Sequence, residues 1–555
     1  MMKRNLNMMA RSPLIRLSIF LLILCILAIL SRRSPDSLLQ TLRTARDRAQ
    51  IPLRSGSSQA GGRQHPIQQL AEQAERQFDE LLNRQSTTVE EAEQEYFRRY
   101  KRSPPSGFDA WFEYAIAQGS PIIDEYDVLD AAIAPLLERS GQEISDSVEA
   151  ALESSENLWS CSIHSGALGL GCEDFGPDIL RLFADERILS NIPDVNLLVN
   201  ALDEPRVLLE QTPISRIRRR QEKLEWFDLS HKNVWEDLVK KPCHRSSDTT
   251  PQDELDSYGI PLVQNQTLAL DLCQHPSYEN LSGFFSSPAS LKITRSPVPI
   301  LSPAVISTMG DIPFPALAYN NDMYAYDENE NIPWENKTHG LYWAGKNTGS
   351  FQSGEEWKEH HRQRFVSLAN NLEGPKFYVY MEKNDGTEQW EAVEDEYLNT
   401  AAYNVHFTGL TQCDPEACTA QKKYFGLHVP DTRGEALQYT LTFDLDGNGH
   451  SGRYYRLLES TSLPLKQTVF REWHDERLQP WLHYVPISLE MQELPEVVRY
   501  FVEEEEGQEL ARELAEKGRE WVGSALTPEE MVVYLYRVIL EVARLQDVER
   551  RGMSR

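Results

Sequence analysis

An α/β fold divided between two domains is what this sequence predicts, and three observations predict it. The stretch YTLTFDLDGNGHSGRYYRLL at 439–458 opens with Thr alternating against aromatic and apolar residues, which suits a strand. It breaks at the turn formers Asp446, Gly447, Asn448 and Gly449, then resumes without a breaker from Arg453 to Leu458 as a helix start. Val195 to Val199 is a second, buried-type strand running into Asn200, Asp203 and Arg206, and polar groups in that position mark where open α/β sheets bind ligands. At 555 residues the chain also exceeds what one core usually serves.

The N-terminus is read separately. Leu17 to Leu30 carries no charge, and Leu14 and Ile15 extend it across Arg16, whose long stem can snorkel to an interface. That run of about 17 residues is at the short end of the membrane-spanning range. Lys3, Arg4, Arg11 and Arg16 precede it and Arg32 and Arg33 follow, a balance that favours a cytosolic N-terminus. The boundary Ser31-Arg32-Arg33 makes a poor cleavage site, so residues 1–33 are expected to be a cytosolic tail and signal anchor. Residues 34–95 are rich in Arg, Gln, Ser and Glu and read as a partly disordered stem, in which Ile67 to Arg84 could form a polar helix. Of seven cysteines, Cys25 falls in the apolar run. The remaining Cys161, Cys172, Cys243, Cys273, Cys413 and Cys418 suit three local disulfides, paired in sequence, in an oxidising lumen. Asn265, Asn280 and Asn336 head glycosylation sequons. The expected location is a Golgi or endoplasmic-reticulum membrane, single-pass, with a luminal body; a short span fits the thinner membranes of that route.

Organised structure is expected from Tyr96 onward. The first domain, 96–330, begins with the aromatic stretch around PPSGFDAWF at 104–112; residues 122–155 follow as one or two helices. Ser215 to Arg220 is basic and 244–260 a polar insertion. Asp311 and Tyr319 either face a possible cleft or hold a satisfied loop role, the two readings standing level. The second domain, 331–545, opens near Trp334 with the strand and turn LYWAGKNTG at 341–349, followed by a helix from Trp357 to Leu368 that carries Arg362 and Arg364. Lys346, Asn347 and Thr348 can hydrogen-bond phosphate or sugar hydroxyls. Thr527-Pro528 with Glu530 caps a final helix reaching about Leu545.

The stretch at 439–458 admits several chemistries. A strand, a glycine turn and a helix N-terminus together suit a diphosphate. Asp444, Asp446, Asn448 and Gly449 fit the opening of a calcium loop, but its twelfth position is Tyr455 where Glu is required. Gly447, Gly449 and Gly452 spell GxGxxG without the usual mononucleotide-fold repeat before it. A tight turn with a solvated Arg453 is the plain alternative. A formal charge of −29 argues against a nucleic-acid partner, and no P-loop, HExxH, kinase set or nucleophile elbow is present.

Taken in order, VNALDEP at 199–205, LYWAGKNTG at 341–349, Trp357 with Arg362 and Arg364, DGNGHSGR at 446–453 and PWLHYVP at 480–486 resemble the CAP10-like glycosyltransferase family 90, over about Tyr96 to Leu545. PPSGFDAW and the YWAG form look like its fungal membrane-anchored branch. The resemblance implies a GT-B-like pair of Rossmann-type domains with a central cleft and an inverting, metal-independent transfer from a UDP-sugar, with no further cofactor. UDP-xylose is slightly preferred over UDP-glucose, and the acceptor is a hydroxyl of a glycan or glycoprotein.

By position in the motifs, Asp203 matches the general base and Arg453 the arginine on the donor phosphates. Trp343, Gly345, Lys346, Asn347, Thr348, Arg362, Gly449, Ser451 and Gly452 fall on the donor side. Asn200, Arg206 and Asp311 fall on the acceptor side, and His483 and Tyr484 match a largely structural element. Many relatives carry Arg where this chain has Ala344, so one presumed phosphate contact is absent; compensating charge from Lys346 or Arg362 and loss of full activity are the two competing expectations. A DxD metal-dependent transferase built on Asp444 and Asp446, and a noncatalytic glycan-binding membrane protein, are the competing readings.

Overall fold

The computed structural model describes residues 64–553, except 155–156, 170, 176–185, 210–223, 244–258, 375, 385 and 387–388. The apolar run at Leu17–Leu30, Cys25 and the first half of the expected stem lie outside the described residues, as do Ser215–Arg220 and nearly all of the 244–260 insertion. Among the described residues no helix is long and apolar enough to cross a membrane.

Helix α1 (Pro66–Asn83) starts with Pro66 at its first turn, where a missing N–H costs nothing, and the His65 ring accepts from the Ile67 amide at 3.2 Å. Ile67, Leu70, Ala71, Ala74 and Phe78 recur at helical spacing and are buried in the core of the second sheet. Residues 66–83, expected in the stem, are therefore part of the folded body; Gln and Glu dilute the apolar stripe until the segment reads as polar. Helix α2 (Val89–Tyr100) opens with a reciprocal capping box between Thr88 and Glu91. It is followed by α3 (Phe108–Gln118), α4 (Asp127–Leu137) and α5 (Gly141–Ser154).

The first sheet is mixed. Strands β1 (Leu158–His164), β2 (Ala167–Leu168) and β3 (Val195–Asn200) pair antiparallel about β1. After the small ribbon of β4 (Phe227–Asp228) and β5 (Lys292–Ile293), β6 (Ile300–Ser302) and β7 (Ile312–Pro313) continue parallel to β3. The order is β2-β1-β3-β6-β7.

The second sheet is wholly parallel. It contains β8 (Thr338–Lys346), β11 (Tyr403–Gly409), β12 (Tyr439–Leu445), β13 (Leu463–Gln467) and β14 (Val485–Pro486), while β9 (Tyr378–Asn384) and β10 (Gln389–Asp395) form a separate hairpin. Helices α6 (His361–Ala369), α7 (Pro415–Phe425) and α8 (Tyr454–Leu458) follow β8, β11 and β12. The order is β11-β8-β12-β13-β14. The chain leaves β8 for β11 on one side and returns to β12 on the other, so the winding reverses between β8 and β12. The carboxyl ends of two strands at such a reversal are where open α/β sheets bind ligands.

Helices α9 (Leu494–Glu503), α10 (Glu505–Ala525) and α11 (Pro528–Gln546) complete the chain. Thr527 caps α11 by accepting from the Glu530 amide at 3.2 Å, whereas the Glu530 carboxylate accepts from Ser120 at 2.9 Å. Although contiguous with the second half of the sequence, α11 packs on α3, α5 and β3 of the first. It is apolar on nearly every side, so it must be covered all round. The indole of Trp111 donates to the Val533 carbonyl at 3.0 Å, and the Arg537 guanidinium lies 4.5 to 4.8 Å from the rings of Phe108, Trp111 and Tyr96. The two halves thus exchange terminal helices, with α1 on the second sheet and α11 on the first.

The six cysteines are joined as Cys161–Cys172, Cys243–Cys273 and Cys413–Cys418, the sequential pairing expected. Asn265, Asn280 and Asn336 are exposed. Trp111→Ala removes a fully buried indole and its hydrogen bond to α11, and is expected to cost about 3–5 kcal/mol of unfolding free energy in urea titration. A loss below about 1 kcal/mol would show that α11 does not depend on this seat.

Candidate functional site

The site is built where β3 of the first sheet and β8 and β12 of the second end. Asn200, the last residue of β3, bends the chain: its side-chain carbonyl accepts from the Leu202 amide at 3.0 Å and its amide donates to the Glu204 carbonyl at 2.8 Å. Glu204 is buried, with both carboxylate oxygens taken by the amide and hydroxyl of Ser290 at 2.8 and 2.6 Å. Arg206 is buried against Trp226, its ring face 4.4 Å from the guanidinium, and donates to the Lys292 and Asn157 carbonyls. Asp311 accepts from the Arg206 and Val207 amides at 2.7 and 2.8 Å and from the Ser302 hydroxyl at 2.7 Å. Burial pushes the Asp311 carboxyl up to about 6. Asn200, Arg206 and Asp311 therefore form the frame of a loop whose tip, Asp203, is exposed.

The turn after β12 meets that tip. The Asn448 amide donates to Asp203 Oδ2 at 3.3 Å, and its carbonyl accepts from the Gly349 amide at 3.1 Å, so one side chain joins three loops. A Cβ on Gly449 would stand 2.3 Å from the Asp203 carbonyl oxygen, a distance no side chain tolerates. Gly349, at φ +113°, packs its backbone on His361 and Gly447.

Beneath the turn Arg362 acts as a clasp. Its guanidinium donates to the carbonyls of Asp446, Lys346 and Leu445 at 2.8, 2.7 and 3.2 Å and to the Thr348 hydroxyl at 2.8 Å, tying the end of β8 to the end of β12. Burial, reinforced by the charge of Arg453, lowers its pKa to about 9. These bonds commit its guanidinium to the loops, so it does not reach outward to replace a side chain at 344. Deeper still, Asp444 accepts from Lys466 at 3.0 Å and from Ser451 at 2.5 Å, and Lys466 stands 3.6 Å from Glu472; all four residues are buried. Asp446 accepts from the Val469 amide at 2.8 Å, and burial pushes its carboxyl up to about 7.

Beside the turn lies an open pocket of roughly 250 Å³ bounded by Tyr342, Ala344, Asp431, Arg433, Arg453 and Arg456. Arg453 donates to the Ala344 carbonyl at 2.8 Å. Gly345 leaves room for it, since a Cβ there would sit 3.3 Å from the guanidinium, and Gly452 lets the Tyr324 ring cover the turn. Because α8 is only five residues long, it aligns few peptide dipoles, and Arg453 rather than the helix end carries most of the positive charge at this point.

Of the residues singled out from sequence, Asp203, Thr348, Arg362, Gly449, Gly452 and Arg453 converge. Lys346 is exposed at the end of β8. Trp343 points into the core between Phe365 and Phe407, and Asn347 is buried, accepting from the Thr411 amide at 2.6 Å in the loop of the Cys413–Cys418 disulfide. His483 and Tyr484 are buried, with His483 stacked on Trp521. Sequence reasoning passed over Asn448 except as a calcium ligand, and missed Asp431 and Arg456. The only sequence signal for Arg456 is its position three residues after Arg453, on the same helix face.

Gly449→Ala is expected to displace the Asp203 loop and lower Tm by several degrees; an unchanged Tm in calorimetry would mean that the two loops do not touch in solution. A pH dependence follows from the buried groups. The carboxyls of Asp311, Asp446, Glu493 and Glu476 are raised to about 6, 7, 7 and 8, mainly by burial, while the rings of His361 and His483 are lowered to about 3. A raised carboxyl contributes stability that is complete below its unfolded value and is lost as pH rises through its folded value. A lowered histidine loses stability as pH falls below about 6.5. The two oppose each other between about pH 4 and 6.5, but above 6.5 only the carboxyls act. Tm is therefore expected to fall from pH 6.5 to pH 8, and a flat or rising Tm over that interval would contradict this assignment.

Comparison with known proteins places this geometry. Residues 288–553 match the family described as Glycosyl transferase family 90. The chain is 33% identical over 122 residues to protein O-glucosyltransferase 3 of Rattus norvegicus and 32% identical over 121 residues to that of Homo sapiens, each match covering 21% of this chain and 23% of the relative. An O-glucosyltransferase rumi homolog of Aedes aegypti is 31% identical over 117 residues, 20% of this chain and 28% of that protein. The matched segments thus span about a quarter of each relative's length. The matched region contains the whole parallel sheet, the glycine turn and Arg453, so the similarity to glycosyltransferase family 90 covers the second half of the chain.

Proposed function

We propose that this chain is an inverting glycosyltransferase that moves a sugar from a UDP-sugar to a hydroxyl of a glycan or glycoprotein, in a GT-B-like cleft between two Rossmann-type lobes. The observation that carries the proposal is the junction at Asn448, which sets the exposed Asp203 carboxylate beside the turn that leads into Arg453. A base and an anion-binding arginine are the two groups an inverting displacement needs. Asp203 takes the proton of the acceptor hydroxyl as its oxygen attacks the anomeric carbon from one face. The bond from that carbon to the diphosphate breaks on the other face, and the nucleoside diphosphate leaves with the electron pair. Arg453 meets the charge that develops on the leaving phosphate, in a pocket already shaped for it.

The names of the relatives favour a glucosyl donor and a protein-linked acceptor. Xylosyl transfer, slightly preferred from the motif pattern, is the other donor arm of the test. The disulfides and the exposed sequon asparagines support a luminal body. With the apolar run at Leu17–Leu30, they support a single-pass anchor in the Golgi or endoplasmic reticulum. A DxD metal site at Asp444 and Asp446 is disfavoured because Asp444 is engaged by Lys466 and Ser451 and Asp446 by Val469.

The full chain, offered a panel of UDP-sugars with a glycan or glycoprotein acceptor, is expected to transfer from UDP-glucose or UDP-xylose with inversion and to keep its activity in excess chelator. Asp203→Asn is expected to lower kcat by about 10²- to 10⁴-fold while leaving the Kd for UDP unchanged. Equal turnover by Asp203→Asn and wild type would exclude Asp203 as the base. Abolition by chelator, restored by Mn²⁺, would favour the metal reading. Glycan binding without any transfer would favour a noncatalytic protein, the reading that Ala344 encourages.

A further inference from the structure

The pocket beside Ala344 contains an arginine without a hydrogen-bond or ion-pair partner among the described residues. Arg456 lies on α8 one turn beyond Arg453, and both line the pocket. The charged groups around it are committed elsewhere. Asp431 accepts from the Tyr342 hydroxyl at 2.6 Å and from His406 Nε2 at 2.8 Å. Arg433 donates to the Asp322 carbonyl at 2.9 Å and to the Ala325 carbonyl, and stands 3.6 Å from Glu330.

Arg456 makes no hydrogen bond or ion pair with the described residues, and its Nε is buried without a partner. An unmade hydrogen bond on a buried cationic group is costly; burial first, then the like charges of Arg453 and Arg433, disfavour the Arg456 cation, and the carboxylate of Glu330 offsets them only in part. Ala344 also lines the pocket and its carbonyl accepts from one guanidinium nitrogen of Arg453, while neither Lys346 nor Arg362 is among the lining residues.

We propose that Arg456 and Arg453 together clamp the phosphates of the donor nucleoside diphosphate, Arg456 providing the contact that no side chain at position 344 supplies. The inference rests on the donor-binding reading above. It places the second phosphate-binding cation on the helix after β12 rather than on β8, and both positions line the same pocket.

The test is calorimetric titration of the full chain with UDP, and ligand-observed NMR with uridine, which shares the base and ribose but has no phosphate. Arg456→Met is expected to weaken UDP binding about tenfold or more while leaving uridine binding within twofold. Arg456→Lys, which keeps the charge but not the fork, should fall between wild type and Arg456→Met and guards against a fold defect in the latter. Adding Ala344→Arg to Arg456→Met should recover part of the loss. Unchanged UDP affinity in Arg456→Met would overturn the clamp, as would equal weakening of UDP and uridine. If wild type binds neither UDP nor uridine, the donor reading itself fails and the clamp fails with it, a result distinct from wild type binding UDP and Arg456→Met binding it equally well.

Discussion

The close approach of the Gly449 turn to the backbone of Asp203 is the constraint on which the site depends. These residues are separated by more than two hundred positions and belong to different sheets, yet no atom fits between them where a side chain would begin. Asn448 then makes the contact specific by donating to the Asp203 carboxylate and accepting from Gly349. A carboxylate, a cation and two glycine turns are brought to one place by backbone shape first and hydrogen bonding second.

What holds each side of that contact is buried and polar. On the first sheet, Asp311 receives two backbone amides and a hydroxyl, and Asn200 forms the turn that projects Asp203. On the second, Arg362 binds three carbonyls at the ends of β8 and β12, and Lys466 balances Asp444 and Glu472 below. Breaking one partner of such a group leaves the other unpaired in a medium of low dielectric, so these contacts are unforgiving of substitution. That serves a site in which exposed groups must stay fixed while their supports do not move.

The exchange of terminal helices makes the two halves mutually dependent. Helix α1 covers the second sheet and α11 covers the first, where Arg537 is ringed by aromatic faces and pairs with Glu541 at 3.3 Å. Each sheet therefore completes its core only with a helix from the opposite end of the chain.

Much of this was legible along the chain. Alternation at 439–445, the glycine turn after it and the buried-type run at 195–199 are local patterns, and local patterns report strands and turns directly. The sequential cysteine pairs were legible for the same reason, since short loops close easily. The sequence by itself determined the α/β character and the turns, and its family resemblance named Asp203 and Arg453 as candidates. It could not show that Arg362 is a clasp rather than a ligand, that Asp311 is a frame rather than a surface, or that residues 66–83 belong to the body. Those are statements about which neighbours a side chain meets across hundreds of residues. Tertiary structure alone decided them, because burial turns the same polar groups from contacts for a ligand into supports for one another.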